Sequence, residues 1–357
     1  LIFLFKKLNT QSSNFFFFYY GWLFGFSFFL TNLYWITISL TFDKSFSFLI
    51  PITLFLIPSF LALFYGLVSF IFYLLRPKNI LSAFFLFSLL FGMIEFLRGI
   101  ILTGFPWNLI VYSLSENLNF ISIISIIGTY SLNLIVISFY AAPVIYILRT
   151  SKKEIIVSII FLILPIIFLT YGEFQKKEFL SKELKPNPYT VRIIGSNISL
   201  ERFYDDSQTE DIFNELTMIS LPEKEKKLFF IWPEGIIPNI YQDELNLFSD
   251  IINRRFSENH LIGLGITSRD IINEDYSYYN SFSIFDNNLN LINNYNKNNL
   301  VPFGEFLPFE NILNKIGLKP ITNKIESFSE GQSRKIIEIE NDFQRLKFLP
   351  LICYEII

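Results

Sequence analysis

Cysteine and histidine are almost missing: one of each occurs in 357 residues. A single Cys353 excludes an internal disulfide, and a lone His260 excludes a histidine-rich metal centre, so neither a metal nor an organic cofactor is expected. Charge is scarce as well, at 17% of residues with a net charge of -3. No global basic field for nucleic acid follows from such a balance, and none is expected as a partner. A phosphate-binding loop is also lacking, because Gly263-Leu264-Gly265 has neither the third glycine nor the following helix of a dinucleotide fingerprint. With 15 glycines and 15 prolines against 44 phenylalanines and 18 tyrosines, the composition resembles translation of an AT-rich genome. That bias accounts for the phenylalanines without invoking function.

What the chain has is apolar length. A mass of 42.0 kDa suits two domains, and a hydrophobic content of 52% with mean hydropathy +0.42 is too high for a soluble protein of this size. A helix needs about 20 apolar residues to cross a bilayer. Residues 1–172 supply that repeatedly, with candidate spans at Phe15–Leu40, Phe48–Leu75, Ile80–Leu102, Phe120–Leu148 and Ile155–Tyr171, and Leu1–Phe5 as the tail of an earlier one. Pro58, Pro143 and Pro165 fall inside these spans, where neighbouring helices can satisfy the freed carbonyls. If the spans alternate, Lys6, Lys7, Arg76, Lys78, Arg149, Lys152 and Lys153 all lie on one side and Lys44 on the other. The basic side is cytoplasmic, which puts everything after about Gly172 on the extracytoplasmic face. The chain starts at Leu1, inside an apolar run, and stops at Ile357, directly after a candidate catalytic motif; both ends read as cut from a longer protein.

One span carries ions. Glu95 and Arg98 stand at i and i+3 and precede Thr103-Gly104-Phe105-Pro106-Trp107-Asn108. Ionisable groups inside a span are costly and face protein or a water-filled cavity. The pair reads equally as a helix-packing salt bridge and as one wall of a lipid-accessible chamber.

Residues 173–188 change abruptly to lysine, glutamate and proline, a polar tether. From 189 to 357 apolar strands alternate with amphipathic helices: strand Thr190–Asn197, helix Asp206–Ser220, strand Lys227–Trp232, helix Asp243–Ser257 and strand Leu261–Thr267. Tyr279–Asp286 and Leu289–Tyr295 read as a hairpin turning at Asp286-Asn287-Asn288, where asparagine and aspartate tolerate positive φ. Ile336–Ile339 and Arg345–Ile352 read as another, its second strand ending on Cys353. This mixed order suggests a layered sandwich.

Three strand ends in this half carry a carboxylate in Trp232-Pro233-Glu234, an amine in Tyr295-Asn296-Lys297 and a thiol in Leu351-Ile352-Cys353. Alone, each has an ordinary explanation: a strand-end Glu or Lys is usually solvated, and a free cysteine usually serves as a small buried hydrophobe. Together they are the parts needed for acyl transfer to a thiol. Glu234 would remove the thiol proton and later help deprotonate an incoming amine. Lys297 would hold positive charge near the developing oxyanion and favour thiolate. Cys353 would take the acyl group as a thioester, dividing one difficult transfer into two easier ones.

Trp232-Pro233-Glu234, the run Tyr295 to Phe306 containing Leu300-Val301-Pro302-Phe303-Gly304-Glu305, and Pro350-Leu351-Ile352-Cys353-Tyr354-Glu355 resemble the apolipoprotein N-acyltransferases, membrane members of the nitrilase superfamily. The Glu-Lys-Cys order is common to all nitrilases; the segment after Lys297 and the Glu95 to Trp107 stretch are more specific. The resemblance implies a multi-span helical membrane bundle carrying an α/β nitrilase-like α-β-β-α sandwich, incomplete at its C-terminus, in the bacterial inner membrane with the catalytic domain periplasmic. It implies transfer of an acyl chain from a phospholipid donor to the α-amino group of a diacylglyceryl-cysteine on an apolipoprotein acceptor. Glu305 matches a second family carboxylate, Tyr354 and Glu355 match residues beside the nucleophile, and Trp107 and Tyr204 are candidates for lipid or acceptor contact. Two departures stand out: Gly235-Ile236 follow the glutamate where the family has threonine or serine and then alanine, and Tyr204 replaces a family tryptophan. Because the chain stops before the strand that should follow the nucleophile, it is expected to be inactive by itself, the activity belonging to its full-length parent.

Other readings use the same residues. A membrane-anchored amidase or nitrilase would employ the same three groups on a small amide, but would not need a multi-span bundle with a charged pair. A transporter or scaffold with a non-catalytic sandwich should show internal hydropathy repeats, and no convincing repeat is visible.

Overall fold

A computed structural model describes residues 1–10, 15–41, 44–101, 104–183, 189–196, 208–237, 239–272, 275–302, 304–306, 327–341 and 344–356. The chain divides into two compact units, Leu1–Glu183 and Leu184–Ile357.

The first unit is helical: α1 (Ile2–Thr10), α2 (Phe15–Leu33), α3 (Ile50–Leu75), α4 (Ile80–Arg98), α5 (Leu118–Ile121), α6 (Ile124–Ile127), α7 (Thr129–Ile147) and α8 (Lys152–Ser181). Five helical stretches are long and apolar enough to cross a membrane: Phe16–Thr41, Ser47–Leu75, Ile80–Arg98, Thr129–Ile147 and Lys152–Ser181. This is a multi-pass membrane bundle. Small residues let α2 and α3 approach closely, as expected where helices pack without a hydrophobic driving force: a Cβ added at Gly21 would lie 2.2 Å from Ser69 Oγ. Trp22 Nε1 adds a hydrogen bond to the Ser59 carbonyl at 3.1 Å. Phe5 seats α1, with ring centroids 4.7 Å from Phe87 and 6.3 Å from both Phe72 and Phe84.

Two helix boundaries differ from the sequence expectation. The stretch read as one span from Phe120 to Leu148 breaks at Gly128, whose φ of +79° ends α6 and starts α7. Apolar content alone does not reveal such a break. Conversely, α8 runs on through Glu173, Lys176, Lys177 and Glu178 to Ser181, into the stretch read as a tether. Those residues are good helix formers, and a helix already nucleated propagates through them.

In the second unit β1 (Thr190–Ile193), β2 (Leu228–Glu234), β3 (His260–Ile272), β4 (Asp275–Phe285) and β5 (Leu291–Asn296) form one sheet in sequence order. The first three strands are parallel, and β3, β4 and β5 are antiparallel. Alternation along β2 decides what covers each face. Leu228, Phe230 and Trp232 pack with Ile212, Phe213 and Leu216 of α9 (Thr209–Ser220) and Ile251 and Ile252 of α10 (Ser249–Asn253). Phe229 faces the other way, toward Ile337, Ile339 and Leu346 of a hairpin made by β6 (Ile337–Asn341) and β7 (Gln344–Phe348). The described residues thus stack as helices, sheet and second sheet, a mixed α/β layered domain.

Smaller differences have local causes. The β4–β5 turn places its positive φ on Leu289, at 58°, because Asp286 Oδ1 collects the amides of Asn288 and Asn290 at 2.8 and 2.9 Å and so dictates the turn. The helix expected at Asp243–Ser257 is a 3-10 segment, Gln242–Phe248, followed by the short α10.

His260, at the start of β3, is held in one neutral tautomer: its Nδ1 accepts from the Ser257 amide at 3.1 Å, which leaves Nε2 to donate to the Glu223 carbonyl at 3.0 Å. Burial holds its pKa below the ordinary 6.5. The folded state therefore binds fewer protons than the unfolded chain between the depressed value and 6.5, and stability falls as pH drops through that window. Urea titrations at pH 7.5 and 5 should show the loss, and His260→Gln should reduce its steepness; an unchanged slope would discount the histidine.

Candidate active site

Glu234 is the last residue of β2, and the strand is shaped to present it. Pro233 has no amide to donate, and the register against β3 slips there, from Trp232 opposite Leu264 to Glu234 opposite Gly265. Gly265 accepts the resulting close approach: a Cβ on it would sit 2.6 Å from Glu234 Cα. Gly235 then turns the chain away with φ +61°, a conformation natural to glycine.

Lys297 follows β5 immediately and is buried, 1% exposed. Its amide donates to the Asn280 carbonyl at 2.8 Å, and its own carbonyl accepts from Gly331 at 2.8 Å. Its ammonium lies 2.8 Å from Glu305 Oε1. Glu305 is fixed in turn by the Val301 amide on Oε2 at 2.7 Å. Asn280, in the middle of β4, joins this pair to the other carboxylate: its Nδ2 donates to Glu234 Oε1 at 2.7 Å and to Glu305 Oε1 at 2.5 Å. The order is Glu234, Asn280, Glu305, Lys297, each touching the next.

Cys353 arrives differently from the expectation. β7 stops at Phe348, and the cysteine opens a 3-10 turn, Cys353–Ile356, with φ 53°. Pro350 cannot donate to a ladder, which explains the early end of the strand. The thiol is exposed. Its turn is tied down by buried Glu355, which accepts from Tyr295 Oη at 2.9 Å, the Asn298 and Asn299 amides at 2.9 and 3.1 Å, and the Ile352 amide at 2.9 Å. Asn298 and Asn299 directly follow Lys297, so one carboxylate binds the cysteine turn to the lysine segment. Burial and the Glu355 carboxylate push the Tyr295 phenol up to about 12, keeping it a donor.

Sequence reasoning did not single out Asn280 or Tyr295. The available signal was a polar file: Ser281 and Asn296 sit on neighbouring strands among apolar residues, and Ser281 Oγ bonds Asn296 Oδ1 at 2.8 Å and Ser268 Oγ at 2.6 Å. Asparagine is disfavoured in a strand interior, so its presence there asks for a partner.

In the first unit, Glu95 and Arg98 form a buried pair at 3.0 Å, exposed 0% and 1%. Tyr65 Oη donates to Glu95 at 2.6 Å, and Arg98 Nη1 donates to the carbonyls of Phe105 and Trp107 at 2.5 and 2.9 Å. The Trp107 ring stacks on Trp35 with centroids 5.4 Å apart. Tyr204 lies outside the described residues, and of Tyr354 only the backbone turn is described.

A helical membrane bundle joined to a mixed α/β domain, with a buried lysine between two carboxylates and an exposed thiol tied to the same segment, defines a membrane protein equipped for carbonyl chemistry at a thiol. Residues 1–142 match the family described as apolipoprotein N-acyltransferase N-terminal domain. Proteins named apolipoprotein N-acyltransferase are similar along most of the chain: 30% identity over 346 residues in Brucella melitensis, covering 94% of this chain and 63% of that protein; 29% over 354 residues in Allorhizobium ampelinum, covering 95% and 64%; and 30% over 351 residues in Rhodopseudomonas palustris, covering 94% and 64%. The chain belongs to the apolipoprotein N-acyltransferase family. It spans 63% to 64% of the length of these relatives. Among solved structures, an N-terminal amidase with an Asn-Glu-Ala peptide aligns with TM-score 0.26 and 12% identity, covering 44% of this chain and 38% of that one.

Proposed function

We propose that the protein is an apolipoprotein N-acyltransferase of the bacterial inner membrane, with residues 189–357 forming the catalytic domain on the periplasmic side. The observation that carries the reading is the continuous contact from Glu234 through Asn280 and Glu305 to Lys297, with Glu355 anchoring the cysteine turn beside it. Cys353 Sγ attacks an ester carbonyl of a phospholipid while Glu234 takes the thiol proton. Lys297 faces the oxyanion; collapse expels the lysolipid alkoxide, which leaves with that proton. The α-amino group of a diacylglyceryl-cysteine then attacks the thioester, Glu234 accepts the amine proton, and the thiolate departs and is reprotonated. Trp107 and Tyr204 are proposed to meet the lipid or the acceptor. The basic connections flanking α2, α3, α4, α7 and α8 support the orientation, since short basic loops stay cytoplasmic.

The test is the mass of the full-length protein after incubation with phospholipid alone. Wild type should gain one fatty-acyl group removable by hydroxylamine, and Cys353→Ala should gain none. A folded, full-length protein that forms no adduct would sink the lipid-donor reading and favour hydrolysis of a small amide.

A further inference from the structure

A second kind of chemistry is built into the first unit alone, where α1, α3 and α4 meet. Leu8 and Asn9 of α1, Phe72 of α3, and Arg76, Pro77 and Lys78 of the α3–α4 turn line a cavity of about 360 Å³. Its floor is apolar and firm, because Leu8 and Phe72 are buried and the Phe5 ring contacts fix α1 against α3 and α4. Its rim is cationic, since Arg76 and Lys78 are both exposed there.

The sequence explains why the sign is uniform. From Leu1 to Ile94 the only carboxylate is that of Asp43, which belongs to the connection between α2 and α3 and is separated from Arg76 by the whole of α3. Lys6, Lys7, Arg76 and Lys78 therefore collect at one end of these helices without an acidic residue from any of them. Aromatic faces steady two of the cations, the Lys7 ammonium 5.1 Å from the Tyr20 ring centroid and the Arg76 guanidinium 5.7 Å from that of Phe17. Lys6, Lys7 and Lys78 enter none of the salt bridges among the described residues. Below the rim, Leu74 and Leu75 at the end of α3 expose 62% and 59% of their surface, as side chains facing acyl chains would.

A guanidinium fork and an ammonium above an apolar floor match a phosphodiester joined to hydrocarbon. A free inorganic anion would have no use for the apolar half. We propose that this cavity binds the phosphate of an anionic phospholipid, with Arg76 and Lys78 as its donors. It uses no residue of the second unit and stands independently of the acyl-transfer reading.

Lipid retention by the purified full-length protein, measured by native mass spectrometry with phosphatidylglycerol and with phosphatidylcholine of the same acyl chains, tests it. Wild type should retain phosphatidylglycerol about tenfold better, each cation near the surface contributing several-fold. Arg76→Gln with Lys78→Gln should bring retention down to the phosphatidylcholine level, and Arg76→Lys with Lys78→Arg should preserve it. Should the double glutamine variant not fold, Lys78→Gln alone, at an exposed turn position, should lose about fivefold. Equal retention of the two lipids, or a preference that survives neutralisation, would overturn the proposal. So would inorganic phosphate that raises the thermal midpoint as much as phosphatidylglycerol does, since that assigns the cavity to a free anion.

Discussion

Asn280→Leu in the full-length protein should slow single-turnover acylation of Cys353 by about a hundredfold while leaving the fold in place, the scale expected when a reacting group is misplaced by about 1 Å. The argument is geometric. Both contacts come from one amide nitrogen, to Glu234 Oε1 and to Glu305 Oε1. Without it the two carboxylates face each other with no donor between them, and like charges at close range repel. Glu305 keeps Lys297 and the Val301 amide, so Glu234 is the partner that moves. Because Asn280 reaches the reacting groups only through Glu234, it is a positioning residue. Asn280→Gln, which retains the amide but lengthens its reach, should be intermediate. The readout is the acylation rate, followed by mass, set against the thermal midpoint. A variant that loses thermal stability but acylates at the wild-type rate would make Asn280 a structural brace only.

This arrangement shows what a sequence can and cannot carry. Glu234, Lys297 and Glu305 are visible because each sits in a short motif with proline or glycine beside it, and such motifs mark where a strand ends. The spans are visible for a similar reason, since apolar length is a local property. Asn280 is not visible, because nothing near it in the chain needs it; its partners are 46 and 25 residues away. The end of β7 was misplaced for the opposite reason. Leu349, Leu351 and Ile352 have strand-compatible side chains, but tertiary bonds to Glu355 pull this segment into a turn. Gly128 belongs with these cases: one positive φ divides an apolar stretch that hydropathy reads as continuous.

The largest stability effect should come from the ion pair inside the membrane bundle. Arg98→Met should cost about 3 to 5 kcal/mol, the range for leaving one member of a buried pair without its partner. Glu95 would lose its cation while still receiving the Tyr65 hydroxyl at 2.6 Å, and the Phe105 and Trp107 carbonyls would lose a common donor. Glu95→Gln should be milder, because a neutral amide can still accept from Tyr65 and leaves Arg98 both carbonyls. Combining the two substitutions should cost less than their sum, since the second removes the orphaned charge created by the first. Unfolding of the full-length protein in mixed micelles gives the free energies. Emission from Trp107, compared in a Trp107→Phe background to separate it from stacked Trp35, reports whether the loop after α4 has moved. Additive costs with unchanged emission would mean that the pair is a solvated accident of sequence. Coupled costs with shifted emission would make it the lock that holds the Phe105 to Trp107 loop against the bundle.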